Sequence, residues 1–108
     1  MTVNELREKY TLTPVSLPDG NREIAGGYCG DLLSWVMGRA GQDNVWITIM
    51  SNMNIVAVAS LSDVSAVILA EGVTLEQNVI DTAAAKGVNI LSSEKGAFEI
   101  AAMIAADV

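Results

Sequence analysis

The stretch Val45-Trp46-Ile47-Thr48-Ile49-Met50-Ser51-Asn52-Met53-Asn54-Ile55-Val56-Ala57-Val58-Ala59-Ser60-Leu61 decides how this chain folds. Val45 to Met50 joins β-branched side chains to a tryptophan and reads as a strand. Asn54 to Leu61 is ambiguous, because Ile55-Val56-Ala57-Val58-Ala59 has strand propensity throughout. The intervening Ser51-Asn52-Met53-Asn54 is too long for a tight hairpin and is well supplied with residues that cap helix N-termini. Asn54 to Leu61 is therefore expected to be a helix. Ala66 to Ala70 follows as an unbroken apolar run, the pattern of a strand buried on both faces of a parallel sheet.

Outward from that unit the alternation continues. Thr74 and Gln77 read as a capping box opening a helix to Lys86, with Gly87 just beyond its end. Val88 to Leu91 is the last strand, and Ser92-Ser93 leads to a C-terminal helix over about Ala97–Ala106. On the N-terminal side, Glu23 to Tyr28 is a short strand running into Gly26-Gly27-Tyr28-Cys29-Gly30. Asp31 offers an N-cap to a helix over Leu32-Leu33-Ser34-Trp35-Val36-Met37, closed by Gly38 and Gly41 near Ala40. Pro18-Asp19-Gly20-Asn21 is turn chemistry and Thr11 to Leu17 is extended. Thr2 with Glu5 is a capping box for a first helix reaching about Tyr10. Strands alternating with helices predict one α/β domain over residues 1–108, a three-layer α/β/α arrangement on a mainly parallel sheet.

Composition narrows the function. The 108 residues carry 6 Lys+Arg against 13 Asp+Glu, a formal net charge of −7, with no histidine and one cysteine. Without histidine there is no Ser–His–Asp triad, no imidazole base and no zinc site with His ligands. A single cysteine makes no internal disulfide and no multi-thiolate metal site, which fits a reducing cytoplasm. No Lys or Arg occurs between Arg39 and Lys86, a stretch that holds Asp43, Asp63, Glu71, Glu76 and Asp81. A surface this acidic repels nucleic-acid phosphates and anionic membranes. The N-terminal residues lack the basic and apolar regions of a signal peptide, and no apolar run approaches the ~20 residues of a membrane span. A soluble, cytoplasmic protein is expected.

Few residues promise chemistry. Gly26-Gly27-Tyr28-Cys29-Gly30 precedes a helix as a phosphate loop would, but it is neither Gly-x-Gly-x-x-Gly nor a P-loop, and Asp31 occupies the helix end an anion would need. Those glycines read as permitting close packing and positive φ. Cys29 lies beside a helix N-terminus, yet Asp31 opposes a thiolate and no base is near, so it reads as a buried or half-buried core residue. Trp35 and Trp46 read as core. Carboxylates are spread singly, so no acid/base pair, catalytic group, metal site or cofactor is expected.

Ligands of parallel sheets collect at strand carboxyl ends. The predicted strand ends place Gly26, Gly27 and Gly30, then Ser51, Asn52 and Asn54, then Glu71 and Gly72, then Ser92 and Ser93 along one shallow polar rim. Such a rim suits hydrogen bonding to a neutral or cationic group better than catalysis. Helix capping explains the Ser and Asn residues equally well. Two helices, the one after Asp31 and the last one, are apolar beyond a single stripe, which predicts a homodimer that covers them.

Several of these stretches resemble a known family: Arg22-Glu23-Ile24-Ala25-Gly26-Gly27-Tyr28, Gly30-Asp31-Leu32-Leu33-Ser34-Trp35-Val36-Met37, Trp46-Ile47-Thr48-Ile49 and Asn54 to Leu61. They are similar to the DRTGG-domain family, in particular to its small stand-alone members found in anaerobes alongside iron hydrogenase genes. The resemblance runs on through Val88-Asn89-Ile90-Leu91-Ser92-Ser93 and the helix of Phe98-Glu99. It implies a fold like the N-terminal domain of HPr kinase/phosphorylase and a regulatory or dimerising role. With no P-loop in this chain, kinase activity is not implied. Where relatives carry Gly-Asp-Arg after the central strand this chain has Ser51-Asn52-Met53, and in place of Thr-Gly-Gly it has Ala70-Glu71-Gly72. Together these readings make it a non-catalytic homodimeric regulatory or interaction module, with a hydrogenase-system or other regulatory protein as partner. The competing reading is a sensor that binds a metabolite or nucleotide at the strand ends.

Overall fold

In the computed structural model, which describes residues 1–108, the central stretch folds as strand then helix. The elements are α1 (Val3–Tyr10), β1 (Thr13–Ser16), β2 (Gly27–Cys29), α2 (Leu33–Arg39), β3 (Val45–Thr48), α3 (Asn54–Ser62), β4 (Ala66–Leu69), α4 (Gln77–Ala85), β5 (Ile90–Ser92) and α5 (Ala97–Ile104), with a 3-10 turn at Ala105–Asp107. The five strands form one sheet in the order β1-β5-β4-β3-β2. β2 to β5 are parallel, and β1 joins β5 antiparallel at one edge.

Side-chain alternation along the strands divides the core into two layers. Trp46, Val67, Leu69 and Ile90 face α2, α3 and α4, where they meet Val36, Ile55, Val56, Val79 and Ala83. Val45, Ile47, Ala66, Ile68 and Leu91 face α1 and α5, where they meet Val3, Leu6, Ile100 and Ile104. β3 and β4 are buried at every position, as strands covered on both faces must be. The three-layer α/β/α arrangement is therefore the observed one.

The amino ends of the strands are tied by side chains. Arg22 donates to Asp43 Oδ1 from Nη2 at 3.0 Å and to Asp63 Oδ1 at 2.8 Å, so one cation holds the loops before β3 and β4. Burial disfavours that guanidinium's charge, but its hydrogen bonds to Asp63 and Asp43 more than offset this and raise its pKa. Asn89 is buried and bonds the Asp19 backbone in both directions, at 2.9 and 2.8 Å.

Several expected boundaries shift, each for a local reason. The strand expected at Glu23–Tyr28 pairs with β3 only over Gly27–Cys29; Glu23 makes an isolated bridge to Thr2. Asp31 does not cap α2, which starts at Leu33 without a side-chain cap, because its carboxylate turns to β3 instead. The box expected of Thr74 and Gln77 does not close, since Gln77 is already the first helical residue and Glu76 stands at the N-cap. The last strand is Ile90–Ser92, where Leu69 and Ser92 are in register. The first capping box is present in full, with Thr2 and Glu5 bonding each other's backbone N–H.

Candidate functional site

The parallel strands deliver their carboxyl ends, and the loops leading to α2, α3, α4 and α5, to one end of the molecule. A cleft of about 420 Å³ opens there between two of these loops. Ser51, Asn52 and Met53 form one wall and Thr74, Glu76 and Asn78 the other, with Val79 between. Asn52 Oδ1 accepts the N–H of Asn54 at 3.0 Å, holding the turn into α3. The first N–H groups of α3 are already paired, Asn54 with Asn52 Oδ1, Ile55 with the Asn52 carbonyl and Val56 with the Met53 carbonyl, whereas α4 has no side-chain cap and its Gln77 and Asn78 N–H groups are left without such partners. Glu76 is the sole ionisable group lining it. The cleft therefore offers amide and hydroxyl hydrogen bonds, the N-terminus of α4 and one carboxylate.

Asp31 fixes the neighbouring corner. Its Oδ1 accepts from the buried Thr48 hydroxyl at 2.7 Å and from the Ile49 N–H at 3.0 Å, locking the β2–α2 loop against the end of β3. Thr48 Oγ1 in turn accepts the N–H of Met50 at 3.2 Å.

The expected rim divides. Ser51 and Asn52 line the cleft, and Asn54 begins the adjacent helix. Glu71, Gly72, Ser92 and Ser93 do not reach it. They form a junction between the β4–α4 and β5–α5 loops, where Glu71 N–H donates to the Lys95 carbonyl at 2.8 Å and Gly72 N–H to the Ser93 carbonyl at 2.9 Å. Gly72 takes φ +68, a left-handed conformation that favours glycine. Ser92 is the last residue of β5.

Gly26 and Gly27 are a correction of place. β2 starts at Gly27, so they lie at its amino end, opposite the rim. They border a separate, mostly apolar cavity of about 310 Å³ between β2 and α5, together with Cys29. Gly30 follows β2 at the right end, but its carbonyl accepts the Trp46 indole N–H at 2.8 Å and is spent inside the fold. Cys29 is exposed, not core, because its strand is an edge. Burial and the nearby Asp31 carboxylate raise its pKa, so the thiol form is favoured. Trp46 is wholly buried as expected, whereas Trp35 is exposed, with the Arg39 guanidinium stacked 3.5 Å from its ring centroid.

Thr74, Glu76 and Asn78 are the lining residues that sequence reasoning missed. No local signal marks them, because they reach the cleft only through the crossover from β4 to α4.

A single five-stranded sheet between two helical layers, with a polar cleft at its strand carboxyl ends, defines a three-layer α/β domain. The DRTGG domain profile matches residues 29–106, and the chain belongs to that family. In structure it is similar to the CBS and DRTGG domains of the regulatory region of Clostridium perfringens pyrophosphatase, crystallised with the activator diadenosine tetraphosphate. The TM-score is 0.71 at 13% identity, over 95% of this chain and 45% of that one. This chain thus spans less than half the length of that protein, and the likeness is one of fold. No curated protein sequence matches the chain. Ser51-Asn52-Met53, which the sequence resemblance sets at the family's first signature position, stands on the cleft wall, and Glu71-Gly72, which it sets at the second, stands at the loop junction.

Proposed function

We propose that this chain is a regulatory module that acts by binding and not by catalysis, as a homodimer, with the cleft between the β3–α3 and β4–α4 loops as its ligand site. The observation that carries this reading is the lining of that cleft. It pairs hydrogen-bonding side chains with a single carboxylate, and offers neither a nucleophile–base pair nor two carboxylates set for acid/base work. The pyrophosphatase neighbour belongs to a regulatory region bound to an activator, which supports regulation as the role. Its activator is a polyphosphate, however, and the cleft here has Glu76 and no Lys or Arg on its walls. We assign it a small neutral or cationic polar ligand. The homodimer is supported by apolar side chains left in solvent: Leu32, Trp35 and Met37 are half exposed or more, and Phe98 is 87% exposed.

A melting-shift panel tests the ligand: polar neutral metabolites, amines, mononucleotides and diadenosine tetraphosphate, each on the wild type and on Asn52→Ala. A neutral or amine compound should raise Tm in the wild type alone. A response confined to polyphosphates contradicts the ligand class, and a flat panel contradicts ligand sensing. The resemblance to hydrogenase-associated members supports a partner in a hydrogenase or redox system. Co-purification of the tagged chain from its native cell tests that; recovery without any redox protein contradicts it.

A further inference from the structure

The two edges of the sheet are built differently. At the β1 edge, Pro14 removes a backbone donor and the register with β5 is irregular between Pro14 and Ser16. Both features keep an edge from pairing with another chain. The β2 edge has neither, nor a lysine: Gly27-Tyr28-Cys29 runs in regular register beside Val45-Trp46-Ile47. The Gly26 carbonyl accepts from Val45 N–H and Gly30 N–H donates to the Ile47 carbonyl, so the even-numbered residues of this strand turn their backbone groups toward β3. Strand alternation therefore aims the N–H and C=O of Gly27 and Cys29 off the sheet, and both residues are exposed.

The flank of that edge toward α5 is apolar. On the α5 side lies the cavity of about 310 Å³, walled by Val45, Ile47, Ala101, Ile104 and Ala105. On the other face, α2 buries Val36 and leaves Leu32, Trp35 and Met37 exposed around the rest of its surface, with the Arg39 guanidinium over the Trp35 ring. No charged side chain lines the cavity, and none occurs from Ile24 to Gly30. In a chain of net charge −7, this flank lets two copies meet without bringing carboxylates together.

We propose that a second copy of this chain pairs along β2, antiparallel about a two-fold axis at Tyr28, and joins the two five-stranded sheets into one. This rests on the homodimer reading above and names its surface. Gly27 of each copy stands opposite Cys29 of the other, and the pair exchanges both N–H···O bonds. Having no side chain, Gly27 leaves room on the α5 face for Cys29 of the second copy. Three paired residues bury too little to hold a dimer, so the exposed side chains of α2 and the mouths of the two apolar cavities close over one another and supply the rest.

Light scattering and hydrogen exchange on the full chain test this. The wild type should have twice the 11.4 kDa monomer mass at micromolar concentration. Cys29→Lys, which places a charge at the pairing edge, should give a folded monomer, while Leu61→Lys, on an exposed position of α3, should remain a dimer. Independently of any variant, exchange at the Gly27 and Cys29 amides should slow at least about tenfold in the dimer relative to dilute monomer. A dimer in which those amides exchange freely, or which Phe98→Lys dissociates and Cys29→Lys does not, overturns the β2 pairing and leaves the homodimer standing. A monomeric wild type overturns both.

Discussion

Asp31 shows how a residue's role is settled by what lies across the fold. In the sequence it stands where an N-cap belongs; in the structure its carboxylate serves the buried Thr48 hydroxyl and the Ile49 N–H. Asp31→Ala leaves both donors without that acceptor, and loss of about 1–3 kcal/mol is expected in urea unfolding. Arg22→Ala removes the cation between Asp43 and Asp63, and should cost about 2 kcal/mol by the same measurement. The sequence, with no base near Cys29 and Asp31 opposing a thiolate, points to a buried or half-buried residue, but its exposure comes from the position of β2 at the sheet edge, which no local pattern reveals. Its thiol is held above the usual pKa by burial and by Asp31. Iodoacetamide at neutral pH should therefore modify it more slowly than free cysteine; a faster reaction would contradict that environment.

At the scale of elements, helices defined by short-range signals were legible and their exact starts less so. The Thr2–Glu5 box is complete, while the Thr74–Gln77 spacing forms nothing, because α4 begins two residues later than the motif suggests. Thr2→Ala should cost about 1 kcal/mol, and Thr74→Ala should stay within about 0.5 kcal/mol of the wild type in the same unfolding assay. The Thr2 backbone N–H, then its hydroxyl, lowers the pKa of Glu5. Hydrogen bonds from Lys9 and then Tyr10 lower that of Asp107, which pins the C-terminal 3-10 turn to α1. Both carboxylates titrate lower when folded than unfolded. Their stabilisation is complete above the ordinary carboxylate range near pH ~4 and is lost as pH falls through the folded values. The same contact raises the pKa of Lys9 and Tyr10, so that share is complete below their unfolded values and fades as pH rises through the folded ones. Asp107→Asn should flatten the acid limb of stability against pH, and an unchanged limb would contradict the assignment.

Over the whole molecule, the fold was legible because the central strands β3 and β4 are buried along their whole length in apolar runs such as Ala66 to Ala70, the pattern of a covered parallel sheet. The site was legible in part. Ser51 and Asn52 follow directly from a strand that ends where a helix begins, a local fact. The opposite wall of Thr74, Glu76 and Asn78 is brought in by the crossover through β4, and nothing in its own sequence points to a cleft. Gly26 and Gly27 were misplaced for a simple reason: shortening the strand to Gly27–Cys29 moves them from its carboxyl to its amino end. The absence of Lys and Arg from residues 40–85 gains meaning here, since Glu76 is the only charge the cleft presents. The most direct test is a ¹⁵N NMR titration with the compound giving the largest melting shift. A regulatory cleft at the strand carboxyl ends predicts that the amides of Ser51 to Asn54 and of Gln77 and Asn78 move first and saturably. Shifts confined to Gly26 to Cys29 and the end of α5 would place binding in the other cavity and contradict it.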